Sequence, residues 1–205
     1  MEFDELDKKC IEKLSLISDV FTSTYNKIAG FFSKCMEKKL RPFLEHELKP
    51  KRGWKIVNMV DKEFFILSDE DSRKKTKSLH SYLWYRCYIE VKKEYKAREK
   101  GSFTLDMGHY FDHIGNNKYN FFYYGFYRSE DENKKFGMMN EYSFYEKISK
   151  QIRKYKDYEL KIEHPSKTGN EEVIELRCRE TDDKKLDGAF NIFKKEILKP
   201  IIDNL

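Results

Sequence analysis

The sequence predicts an α+β fold: a mostly antiparallel sheet of about five to seven strands, packed by a long N-terminal helical segment, a helix near 140–155 and a C-terminal helix. Three observations predict it. Apolar residues recur at helical spacing over the first fifty positions, alternate from Trp54 onward, and return to helical spacing twice in the second half. The alternating runs come in pairs instead of alternating with helices, which favours antiparallel pairing. Leu, Ile, Val and Phe make up about a quarter of the 205 residues, enough for a core, and Gly and Pro are scarce. The length suits one domain, with helices in 1–50 and the sheet with two further helices in 51–205.

The first helical segment runs from residue 3 to about 48. Phe3, Cys10, Leu14, Ile17, Phe21, Ile28, Phe31 and Cys35 lie along one seam, with Thr24 filling a seam position, and Pro42 is a kink or a restart. Leu6, Ile11, Leu16, Val20 and Leu40 widen the stripe beyond a coiled-coil seam, so the preferred reading lays this segment against the protein's own sheet. The period then changes to two. Trp54–Val60 and Glu63–Ser68 read as a hairpin turned at Asp61-Lys62, and a charged loop follows. Tyr82–Lys92 puts Leu83, Tyr85, Cys87, Ile89 and Val91 on one face and Tyr82, Trp84, Arg86, Tyr88, Glu90 and Lys92 on the other. Phe103–Leu105 is a short strand. In Tyr119–Tyr127 seven of nine residues are aromatic, which places this strand centrally, covered on both faces. A helix spans Asn140–Tyr155, a hairpin joins Tyr158–His164 to Glu171–Cys178, and a last helix begins at cap candidates Asp182 and Asp183 and is disturbed by Pro200.

Charge and cysteines narrow the function classes. The net charge of +5 is concentrated: residues 51–100 hold fourteen basic and eight acidic side chains, while the other quarters are nearly balanced. A localised positive field attracts phosphate backbones or acidic protein surfaces. Lysines outnumber arginines 32 to 9, which an AT-rich genome also produces. The acidic start and the lack of any run near ~20 apolar residues argue against a secretory signal or a membrane partner. Four scattered cysteines with no CxxC pair argue against a zinc ribbon or a disulfide scaffold, so the chain is expected in the cytoplasm. There is no Gly-x-Gly-x-x-Gly, P-loop or Gly-x-Ser-x-Gly elbow.

The leading functional reading is a non-catalytic binding or regulatory domain, without a cofactor. It would engage a protein or nucleic-acid partner through Tyr82, Trp84, Arg86 and Tyr88, flanked by Arg73, Lys74 and Lys75. Rings that stack on bases, combined with cations that attract phosphates, are the usual means of holding single strands. A homodimer joined through the 10–35 seam is a structural alternative.

Two chemical alternatives accompany this reading. Phe64-Phe65-Ile66-Leu67-Ser68-Asp69 followed by Ile89-Glu90-Val91-Lys92 resembles the PD-(D/E)xK nuclease motif. The resemblance implies a metal-dependent nuclease with Mg²⁺ held by Asp69 and Glu90 and with Lys92 steadying the attacking water. That family runs from this strand into a helix, whereas Lys93–Lys100 is short and ends at Gly101. Separately, Asp106, His109 and His113 would converge on zinc or iron if their segment were helical. On a strand the two histidines stand ~13 Å apart.

Overall fold

The computed structural model describes residues 20, 22–68, 81–95, 98–114, 117–129, 142–163, 171–179 and 182–205. Of these, 61–68, 81–83, 95, 98–100, 112–114, 117–119, 129, 142–145, 163 and 171–173 are described by their backbone alone. Six strands form one antiparallel sheet: β1 (Trp54–Ser68), β2 (Ser81–Tyr95), β3 (Arg98–Ile114), β4 (Asn117–Ser129), β5 (Tyr158–Glu163) and β6 (Glu171–Cys178), in the order β1-β2-β3-β4-β6-β5. Three helical segments accompany it: α1 (22–48), α2 (Tyr142–Ile152) and α3 (183–203). The predicted α+β class is the observed one. Among the described residues no helix is long and apolar enough to cross a membrane.

Consecutive strands pair except β4 and β5, so the β1–β4 meander and the β5–β6 hairpin are joined through the β4–β6 pair. The predicted hairpin at Asp61-Lys62 is corrected: β1 is one continuous strand paired throughout with β2. The polar pair that reads as a turn falls at a register shift between Val60 and Glu63, and a second shift lies between Ile56 and Asn58. Both are bulges, which absorb extra residues by bending an edge strand without ending it. The strand predicted at Phe103–Leu105 extends over all of Arg98–Ile114, because β2 and β4 supply pairing on both sides.

Among the described residues, the helix ring contacts to the sheet fall on one face. Phe32 of α1 meets Tyr85, Phe122 and Tyr124 at ring separations of 5.9–6.1 Å, and Phe190 and Phe193 of α3 meet Tyr124 at 5.6 and 6.1 Å. Tyrosines rising from the sheet fasten the helices: Tyr85 donates to the Ala29 carbonyl, Tyr124 to that of Leu186 and Tyr158 to that of Lys185. A buried hydroxyl needs such a partner. The seam residues Ile28, Phe31 and Cys35 pack on this core, as the wide stripe predicts; the seam residues Phe3, Cys10, Leu14, Ile17 and Phe21 lie outside the described residues.

Neither Pro42 nor Pro200 ends its helix. In α1 the turn over Met36–Leu40 widens so that Arg41 N–H reaches the Met36 carbonyl, and in α3 that over Phe193–Leu198 widens so that Lys199 N–H reaches Lys194. A proline inside a helix removes one N–H and crowds the carbonyl four residues earlier. A widened turn just before it shifts the bonding by one residue and relieves both. Asp182 caps α3, accepting from the N–H groups of Lys184 and Lys185 at 2.9 and 3.1 Å.

Candidate functional site

The pleat of β2 sorts its residues. Tyr85, Cys87, Ile89 and Val91 are buried against the helices, whereas Trp84, Arg86, Tyr88, Glu90 and Lys92 stand half-buried on the other face. No described helix packs over that second face, so the side of β2 that carries Trp84 is not sealed beneath one.

The half-exposed residues are held in place from below. The Arg86 guanidinium lies 4.7 Å from the Trp84 ring centroid and 4.8 Å from that of Tyr88, a cation bracketed by two rings of its own strand. Register places Asp106 of β3 opposite Tyr88, and its Oδ2 stands 3.6 Å from Arg86 Nη1. Trp84 Nε1 donates to the Tyr123 hydroxyl, which donates to Asp106 Oδ1 at 3.2 Å. Asp106 and Tyr123 are only 3 % and 2 % exposed, so the chain ends on a carboxylate removed from water. Burial, reinforced by the Asp106 charge, pushes the Tyr123 hydroxyl well above its ordinary range and keeps it a donor.

A second cluster adjoins the first, linking β4 to β6. Buried Glu175 of β6 accepts from the Tyr127 hydroxyl at 2.7 Å and from Arg177 at 2.7 and 2.8 Å, and Arg177 caps the Phe121 ring at 4.3 Å. Glycine makes room for this layer. A Cβ on Gly125 would stand 2.5 Å from the Tyr127 ring, and one on Gly108 would overlap the Tyr85 carbonyl oxygen across the strand pair. Tyr123 and Phe121 are themselves buried in this layer, and Trp84, Arg86 and Tyr88 stand half-buried beside them.

Of the predicted binding residues, Trp84, Arg86 and Tyr88 share this surface. Arg73, Lys74 and Lys75 lie outside the described residues, as does the side chain of Tyr82. Glu90 and Lys92 do lie on one face of β2. Asp69 lies outside the described residues. Ser68, the last residue of β1, pairs with Ser81, nine residues along β2 from Glu90, or roughly 30 Å at strand rise. The helical arrangement proposed for Asp106, His109 and His113 is corrected: their segment is strand β3, which sends Asp106 and His109 to opposite faces. The side chain of His113 lies outside the described residues. Among the described residues no group of three or more His, Cys, Asp or Glu is placed to hold a metal ion. Sequence reasoning missed Tyr123, Glu175 and Arg177, and it assigned Asp106 to the wrong constellation. Only cross-strand register unites them.

His109 belongs to the helix side. Its Nε2 donates to Asn120 Oδ1 at 2.6 Å, which leaves Nδ1 to accept from the Tyr25 hydroxyl of α1 at 3.3 Å. Burial lowers its pKa from the ordinary 6.5, with the Asn120 hydrogen bond opposing. The folded state therefore favours the neutral ring more than the unfolded chain does. This contribution to stability is present above pH 6.5 and is lost as pH falls from there through the lower folded value. Denaturant midpoints of wild type and His109→Phe should diverge in that window, the variant losing less stability on acidification. Parallel curves would remove His109 as a source of acid sensitivity.

Compared with protein-family models, with curated proteins and with solved structures, the chain matches none.

Proposed function

We propose that this chain is a non-catalytic binding domain that engages its partner through the Trp84–Arg86–Tyr88 face of the sheet. The observation that carries the reading is the one-sided placement of the described helices, which leaves this row half-exposed while buried Asp106 and Tyr123 fix it from beneath. Aromatic and arginine side chains dominate the energetics of binding surfaces. Side chains already ordered before contact lose little entropy on binding. Rings with exposed area stack on the bases of a single strand. A protein partner is the second reading. It is favoured by the ion pairs of Arg86 with Asp106 and of Arg177 with Glu175, which leave contact area more than charge to carry affinity on this face.

The test is the double variant Trp84→Ala/Tyr88→Ala, with an unchanged circular dichroism spectrum as the control for folding. Binding of a fluorescent single-stranded oligonucleotide of about 20 nucleotides at about 50 mM salt should weaken by roughly a hundredfold, since each stacked base contributes ~1–3 kcal/mol. An unchanged affinity would remove this face from nucleic-acid recognition. If the wild type binds no oligonucleotide, the protein reading is the one left.

A further inference from the structure

Two strands end the sheet, β1 and β5, and among the described strands each pairs on one side only. An unpaired edge offers its N–H and C=O groups to any extended chain, so folded proteins blunt their edges. β1 is blunted. Its pairing with β2 shifts register twice, with Val57 at the first shift and Asp61-Lys62 at the second. Such bulges twist an edge away from a neighbouring strand. β5 carries neither a register shift nor a proline. Its six residues pair with β6 in unbroken register from Tyr158 to Glu163.

The pairing with β6 sorts the side chains of β5. Tyr158, Leu160 and Ile162 stand opposite Cys178, Leu176 and Ile174, which are fully buried on the helix side. They carry that apolar row to the edge of the sheet, where α2 and the start of α3 lie over it and still leave it half-exposed. Glu159 and Lys161 stand opposite Arg177 and Glu175 on the other face. Glu159 also meets Arg179 at 3.3 Å.

This strand is its own complement in one register. Two copies of a strand pair antiparallel about a two-fold axis normal to the sheet, and residues directly opposite then share a face. Centred on Leu160, the pairing sets Leu160 against its own copy and Tyr158 against Ile162 twice, all on the helix side. On the other face it sets Glu159 against Lys161 twice, opposite charges at cross-strand distance. Glu163 then faces Asp157, which precedes the strand and is paired with Lys185 at 2.7 Å. Centred on Lys161, the lysine would meet its own copy and Glu159 would meet Glu163. Centred on Glu159, that glutamate would meet its own copy. Like charges directly opposite are destabilising, so the charge pattern selects the first register.

We propose that β5 pairs with β5 of a second copy of this chain, centred on Leu160, joining two six-stranded sheets into one. The helices of both copies lie on the same side of the joined sheet, and the Trp84 row of each is left uncovered. The inference does not depend on what that row binds.

One strand pair buries little area, which places the complex among weak, transient ones. Sedimentation of the full chain at up to about 200 μM should therefore show a mass rising from 24.9 kDa toward twice that value. Glu159→Lys, at an exposed position, should weaken association by about tenfold, because two like-charge pairs replace two opposite ones. Two cysteine variants read the register. Opposed Cα atoms stand about 4.5–5.5 Å apart, within the span of a disulfide. Leu160→Cys should cross-link to a covalent dimer under mild oxidation, whereas Glu159→Cys, facing Lys161 of the other copy, should not. The wild type, whose described cysteines are buried, sets the background of that reaction, and circular dichroism checks that each variant folds. A mass that stays at 24.9 kDa throughout overturns the proposal. A dimer that Glu159→Lys leaves unchanged also overturns it, since that dimer forms through another surface. Cross-linking through Glu159→Cys in place of Leu160→Cys overturns the register.

Discussion

Replacing Asp106 with alanine should cost about 3–5 kcal/mol of folding stability, the range for removing one partner of a buried charge pair. The carboxylate is 3 % exposed, it faces Arg86 at 3.6 Å, and it is the acceptor for a Tyr123 hydroxyl that is itself buried. Deleting it leaves a cation against two rings and an unanswered hydroxyl, and the second penalty adds to the first. Asp106→Asn should cost less, because the amide oxygen still accepts from Tyr123. The pair Asp106→Asn/Arg86→Met should recover part of the loss, since no uncompensated charge remains. Urea unfolding of wild type, Asp106→Asn, Arg86→Met and the pair checks this as a double-mutant cycle. A loss below about 1 kcal/mol for Asp106→Ala would show that water replaces the carboxylate and that the Trp84 row lacks the rigid base assigned to it. The same variant should also raise acrylamide quenching of Trp84, whose indole N–H bonds to Tyr123.

Phe32→Ala should destabilise by a similar amount, about 3–5 kcal/mol, through a different cause. The ring is fully buried and meets Tyr85 of β2 and Phe122 and Tyr124 of β4. These two strands are held apart by β3, which pairs with both, so little of the cavity can collapse. The loss should concentrate in α1. Hydrogen exchange of amides in 22–35 should accelerate more than that of the β5–β6 pair, which α1 does not touch through this ring. Equal acceleration in both would mean that the helix and sheet unfold only as one unit.

The fold was largely legible in the sequence because periodicity survives burial on one side. Ile28, Phe31 and Cys35 mark a helix face whether or not the partner is known, although the fully buried Phe32 and Met36 lie beside that seam, and Asp182 signals its cap by chemistry alone. Misreadings occurred where a local cue had a tertiary answer. Asp61-Lys62 resembles a turn, yet the neighbouring strand absorbs it as a bulge. Pro42, read as a kink or a restart, and Pro200, read as a disturbance, each follow a widened turn, which the packing of Leu40, Leu44, Leu198 and Ile201 keeps continuous with the helix.

The site was legible by half. Alternation along β2 separates Trp84, Arg86 and Tyr88 from the core row without any knowledge of neighbours, since successive side chains must point to opposite faces. That much the amino-acid order determined, together with the class of fold and the concentration of positive charge in one quarter of the chain. The tertiary structure decided which residues stand beneath the row. Asp106 reaches Arg86, and Lys55 comes to face Lys92, only through strand register. Register is set by the packing of whole strands against the helices, an energy summed over distant residues that no short stretch of sequence contains.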